Sequence, residues 1–205
     1  MKKSFLLLAF LVFTAGAVRA QHFIFEPYAG LSFNFGYSNE NALGLESGAL
    51  LGVGGKLKGF PPRFFLYFRT GQVFFNDDDI ALGQTGARAE ISRSLVPVLG
   101  GLRVVIPVIY NFRLTLDWGL GTMYSLVKYR EEGYRLEYDK WFSVMEFGVG
   151  ANFRLLRWLS LGLNYDYTYL IESEYGDMAS QMIHSAEGGS RPGWGRLVAT
   201  LGLHF

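Results

Sequence analysis

The sequence predicts an all-β fold, an eight-stranded antiparallel up-and-down transmembrane β-barrel, and three observations predict it. Bulky apolar side chains alternate with glycines and charges in eight separate stretches, the signature of strands with two unlike faces. The connections between those stretches alternate between short and long, as in a meander that closes on itself. The bulky faces are also too large to be housed inside, because the interior of an eight-stranded barrel is only just wide enough for side chains to fill it. The apolar face must therefore point outward, to lipid, and the glycine-rich face inward.

The chain begins with Lys2 and Lys3, an apolar run from Phe5 to Phe13, and small residues at Val18-Arg-Ala20 before Gln21, which predicts an export signal over residues 1–20. The run falls short of the roughly 20 apolar residues that a spanning helix needs. A single domain, 21–205, follows. Removing Lys2, Lys3 and Arg19 from 19 basic residues leaves 16 against 18 acidic ones, a net charge of −2, so no nucleic-acid partner is implied. Cysteine is absent, which excludes disulfides and thiol-ligated metals.

Alternation places the strands at 26–37, 49–58, 64–75, 95–105, 112–129, 135–153, 159–171 and 194–205. Residues such as Leu31, Phe33, Leu51, Phe68, Leu102, Leu116, Phe147, Leu163 and Leu201 share the bulky parity. The opposite parity carries Lys56, Arg69, Arg103, Arg113, Asp117, Glu146, Asp166 and Arg196, an expected interior polar network in which basic groups outnumber carboxylates. The connections at 59–63, 106–111 and 154–158 are short. Those at 38–48, 76–94 and 172–193 are long and polar, and between them strands 5 and 6 keep alternating up to a turn at Glu131-Glu-Gly133. That hairpin is expected to project well beyond an apolar band of about 25 Å. Near the long-loop ends the inward parity turns apolar at Leu50, Val73, Phe75, Leu99, Met123, Phe142, Val144, Leu170 and Trp194. This predicts an apolar cup above a polar plug, a place for a hydrophobic small molecule.

The closing stretch Trp194-Gly-Arg-Leu-Val-Ala-Thr-Leu-Gly-Leu-His-Phe205 alternates strictly and ends on an aromatic. It resembles the last strand of bacterial outer-membrane barrels, whose assembly machinery reads such an end, although Thr200 stands where that signal usually has Gly. The chain as a whole resembles the small eight-stranded barrels of the OmpW, OmpX and OmpA-transmembrane type. The resemblance implies a bacterial outer-membrane location with both termini periplasmic and the long loops extracellular. The partners it implies are outer-membrane lipids and, through the strand ending at Phe205, the barrel-assembly machinery. With the apolar cup, the expected function is an OmpW-like binding and passage of hydrophobic small molecules; the alternative is an OmpX-like surface interaction through the protruding hairpin, and a lipid A-modifying enzyme is the third.

Signals for other chemistry are weak. Gly52-Val-Gly-Gly-Lys56 lacks the leading Gly and the following Ser or Thr of a phosphate loop. Asp77-Asp-Asp79 lacks the Gly and distal Glu of a calcium loop and reads as a solvated acidic turn. His184, beside Ser185 and near Glu187, is the one hint of a lipid-modifying enzyme, but neighbours in a loop do not make a nucleophile, base and orienting group. No cofactor, no metal site and no catalytic residue is expected.

Overall fold

The structure, a computed structural model, describes residues 22–35, 43–56, 61–82, 87–131, 134–171 and 193–205. The export signal expected at 1–20 and the loop carrying His184 lie outside the described residues. Eight strands run in chain order: β1 (His22–Phe35), β2 (Leu43–Lys56), β3 (Arg63–Leu82), β4 (Ala87–Pro107), β5 (Phe112–Glu131), β6 (Tyr134–Arg154), β7 (Leu159–Leu170) and β8 (Gly193–His204). Each pairs antiparallel with its sequence neighbours, and β1 pairs with β8 from Ile24↔His204 to Phe35↔Gly193, so the sheet closes. Phe23 and Phe205 complete the seam by exchanging two backbone hydrogen bonds of 2.9 Å.

Closure has a physical motive, since a sheet edge in hydrocarbon leaves N–H and C=O groups without partners. The outward parity meets that hydrocarbon: Leu51, Phe68, Leu102, Leu116, Trp118, Phe147, Leu163 and Leu201 are all exposed. Aromatic pairs mark the limits of this belt, Phe23 against Phe205 at one end (ring centroids 6.1 Å apart) and Tyr124 against Trp141 at the other (5.2 Å). Trp118 lies between them, paired in register with Leu102 and Phe147, and is 44% exposed.

The strands differ in length, and here the structure corrects one boundary of substance. β7 and β8 have 12 residues each, whereas β3 to β6 have 20 or 21. Within 76–94, expected as a long loop, residues 76–82 and 87–94 continue the β3–β4 ladder to Leu82↔Ala87 through a register shift between Asp77 and Ile80. The polar run at Asp77–Asp79 is thus strand, not an acidic turn. Likewise β2 begins at Leu43 and β1 at His22, earlier than alternation alone indicates. The barrel has a short-turn end, joining β2–β3, β4–β5 and β6–β7, and a hairpin end, where β3 to β6 run on as one four-stranded sheet.

Candidate functional site

The lumen is built by the inward parity, and its middle is crossed by ion pairs. Each strand contributes one charged residue: Glu26, Glu46, Arg69, Arg103, Asp117, Glu146, Asp166 and Arg196, in order from β1 to β8, all buried. Arg103 grips Asp117 with two hydrogen bonds, from Nε to Oδ1 (2.7 Å) and from Nη2 to Oδ2 (2.6 Å), and gives Nη1 to Glu26 across the lumen. Arg69 is bidentate to Glu146, whose Oε2 also accepts from Thr168 Oγ1 at 3.0 Å. Arg196 joins Glu46 (2.6 Å), Asp166 (2.7 Å) and, more loosely, Glu146 (3.5 Å). The second oxygen of Glu46 accepts from Ser32 Oγ at 2.6 Å. Tyr28 places its ring beside two of the guanidiniums, 5.1 Å from Arg196 and 6.0 Å from Arg69.

This network differs from the expected one in membership and in sign. Lys56 is exposed at the last position of β2, and Arg113 is half-buried one residue into β5; both lie at the short-turn end, outside the network. Glu26 and Glu46, which the sequence reading did not include, take part instead. Three guanidiniums therefore face five carboxylates, so the interior is acid-rich where a base-rich one was expected.

The nine residues of the expected apolar cup are all buried, and eight of them stand on the hairpin side of the network charge of their own strand; Leu50 does not, since it lies on the short-turn side of Glu46 in β2, level with Glu26 and Arg69. Leu99, Met123, Phe142, Val144, Leu170 and Trp194 form one packed cluster, with Leu95 against it, and Leu50, Val73 and Phe75 are buried too. Leu99, Val73 and Val144 are each 0% exposed, so these side chains close the lumen over the ion pairs. Beyond this cap, the β5–β6 ladder runs to Glu131↔Tyr134 and β4 joins β5 as far out as Glu90↔Arg130.

A family model described as an outer membrane protein beta-barrel domain matches residues 5–186. The chain belongs to the outer-membrane β-barrel family. Solved barrels of similar architecture include Neisserial surface protein A (TM-score 0.55, 11% identity, covering 89% of this chain and 97% of that one). Another is the attachment invasion locus protein Ail of Yersinia pestis (0.51, 13%, 91% and 99%), and a third is a major outer membrane protein from Thermus thermophilus (0.53, 14%, 89% and 99%). At these identities the likeness concerns the fold alone. No curated protein matches the chain in sequence. This outer-membrane barrel thus has its place in the bacterial outer membrane, and its particular function must be argued from its own residues.

The charges missing from the sequence reading had a signal. Glu26 has the parity of Gly30 and Ser32 and already stood at the first position of the expected strand 26–37, whereas Glu46, with the parity of Gly48 and Gly52, was inward by alternation only once its strand was extended to Leu43. Asp77–Asp79 fall on β3, and their side chains lie outside the described residues, as does His184.

Proposed function

We propose that this outer-membrane barrel is a surface-interaction protein that presents its projecting four-stranded sheet outside the cell, with the short-turn end toward the periplasm. The length of β3 to β6 carries this reading. Twelve residues at about 3.3 Å each, tilted as barrel strands are, already cross an apolar band of about 25 Å. The 20 or 21 residues of β3 to β6 therefore extend about eight residues further per strand. The β2–β3 ladder ends at Gly44↔Phe75 and the β6–β7 ladder at Val144↔Leu170, so the outer parts of β3 and β6 are the margins of the projecting sheet. An extended segment of a partner protein adds to such a margin by backbone hydrogen bonds. The lumen below supports the same reading, because bidentate ion pairs and a close-packed cap suit a brace better than a path.

The apolar cap at the hairpin end favours a second reading, binding and passage of a hydrophobic small molecule, in which cap side chains swing aside. Deleting residues 129–136 in bacteria that display the barrel separates the two. Lost adhesion to host-cell or matrix surfaces, with normal uptake of a hydrophobic compound, is the expected result. If instead Phe142→Asp or Leu99→Asp abolishes uptake in an assembled barrel while the deletion changes nothing, the surface reading falls and passage replaces it.

A further inference from the structure

Charge is segregated along the barrel axis in a way that neither the ion-pair brace nor the projecting sheet uses. At the short-turn end the inward parity closes with His22 on β1, Lys56 on β2, Arg63 on β3, Arg113 on β5, Arg154 on β6 and His204 on β8. Only β4 and β7 end otherwise, on Pro107 and Ser160. Five of the six are half-buried, Lys56 is exposed, and Lys56 and Arg63 face each other in register. The charges of Arg63, Arg113 and Arg154 act on both imidazoles, so the six groups share one space. Ser160 Oγ hydrogen-bonds to His204 Nε2 at 2.8 Å and fixes that ring. Arg154 donates from Nε and Nη2 to the carbonyls of Leu156 and Arg157 in its own turn, which holds its charge at the mouth and leaves Nη1 for a ligand.

Among the described residues, no Asp or Glu side chain belongs to this layer. The connections 57–62, 108–111 and 155–158 contain no Asp or Glu in sequence, and Arg157 adds a further cation. In sequence, every acidic residue outside the lumen set falls between β1 and β2, within 77–90, within 131–139 or between β7 and β8. Glu26, the first side-chain carboxylate above the ring, accepts at Oε2 from Arg103, and the carbonyl of Phe205 is held on the outer wall by the Phe23 N–H. Inside, the excess of two carboxylates offsets half of the ring's four permanent cations.

Four like charges converging on a narrow mouth with low-dielectric walls repel one another and focus a positive potential into it. Such an arrangement is stable when a multiply charged anion sits in it, and guanidinium forks match phosphate oxygens in geometry. We propose that the short-turn mouth is a binding site for a phosphate-class oxyanion, a phosphate ester or a pyrophosphate, held by Arg63, Arg113 and Arg154 with Lys56 at the rim. Ile24, Phe65 and Val105 pack as a buried cluster one inward position above the ring, so the ligand is held at the mouth and goes no deeper. The ligand is either a phospholipid headgroup bent in from the adjoining leaflet or a free phosphate, and the site is the same for both.

The test uses the refolded full barrel in uncharged detergent, titrated with sodium pyrophosphate at fixed ionic strength and followed by calorimetry. One saturable site is expected. The double variant Arg63→Gln with Arg113→Gln should bind at least about tenfold more weakly, Arg63→Lys with Arg113→Lys, which keeps the charge and loses the fork, should fall between that variant and wild type, and Lys128→Gln, at the far end, should equal wild type. Heat-shifted gel mobility establishes that each variant is folded. Repeating the titration in phosphatidylglycerol and in phosphatidylcholine nanodiscs identifies the source: weaker binding in phosphatidylglycerol assigns a headgroup, and equal binding assigns a free phosphate. Absence of saturable binding to the wild type, or equal binding by the folded Gln variant, overturns the proposal.

Discussion

An acid-rich interior makes a prediction that a base-rich one reverses: removing a guanidinium should cost more than removing a carboxylate. Arg69 and Glu146 form the most enclosed pair, with the side chains 3% and 0% exposed. Arg69→Met leaves two guanidiniums for five carboxylates. Glu146 then keeps Thr168 at 3.0 Å and Arg196 at 3.5 Å, and Asp166 loses its 3.9 Å contact. Breaking a buried pair from one side costs about 3–5 kcal/mol. Glu146→Gln removes a charge of the sign in excess and keeps the shape, an acceptor for Thr168 and a neighbour for Arg69 in Asp166. Its cost should be near that of one weakened hydrogen-bond set, about 1–2 kcal/mol. Urea unfolding of the barrel in phospholipid vesicles, read by tryptophan fluorescence and by gel mobility, measures both. Equal losses, or a larger loss for Glu146→Gln, would refute the charge ledger and with it the placement of Glu26 and Glu46 in the network.

Two further outcomes test the packing and the membrane embedding. Gly121→Ala directs a methyl group onto the Val98 carbonyl oxygen, 2.0 Å from the ideal Cβ, whereas at Gly100 the nearest atom lies 3.9 Å away. The first should lose about 1–3 kcal/mol or more and the second should stay within about 0.5 kcal/mol of wild type in the same unfolding assay. In single-tryptophan variants, quenchers placed at the bilayer centre should act most on Trp118, less on Trp141 and Trp158 at the belt's ends, and least on Trp194, which is buried in the cap. If Trp141 is quenched as deeply as Trp118, the belt has been placed at the wrong height.

Period-two alternation was legible wherever a strand separates lipid from lumen, and it failed where that contrast ends. From Asn76 to Leu82 and from Ala87 to Ser94, β3 and β4 are paired, yet the sequence there shows a run of Asp and small polar residues that reads as loop. Beyond the membrane both faces of a sheet meet water, so neither parity is obliged to be apolar, and the signal disappears while the ladder continues. β5 and β6 stayed legible further out because alternation persists there, with Val127, Tyr129, Tyr134, Leu136 and Tyr138 on one parity and Lys128, Arg130, Arg135, Glu137 and Asp139 on the other. Glu46 was lost for a related reason, since Leu43 and Leu45 alone carry the outward face between a polar stretch and Gly48.

Parity also says which side a charge faces but not the height at which it stands. Arg113 and Arg103 have the same inward parity on neighbouring strands. Arg103 sits opposite Asp117, two turns of the pleat deeper, while Arg113 sits opposite Pro107 at the rim. Only the stagger of the whole barrel fixes such heights, and stagger is set by all eight registers together. That is why eight inward charges could be named from the sequence and two of them still belong to a different layer. The ladder ties each strand only to its neighbours, so Arg69–Glu146 and Arg103–Glu26, each joining strands three apart, brace the lumen across, while Arg196–Glu46 ties β8 to β2 over β1. One charge per strand suffices for a closed brace, and the cations left over at the short-turn end are, on that count, available for something other than holding the barrel together.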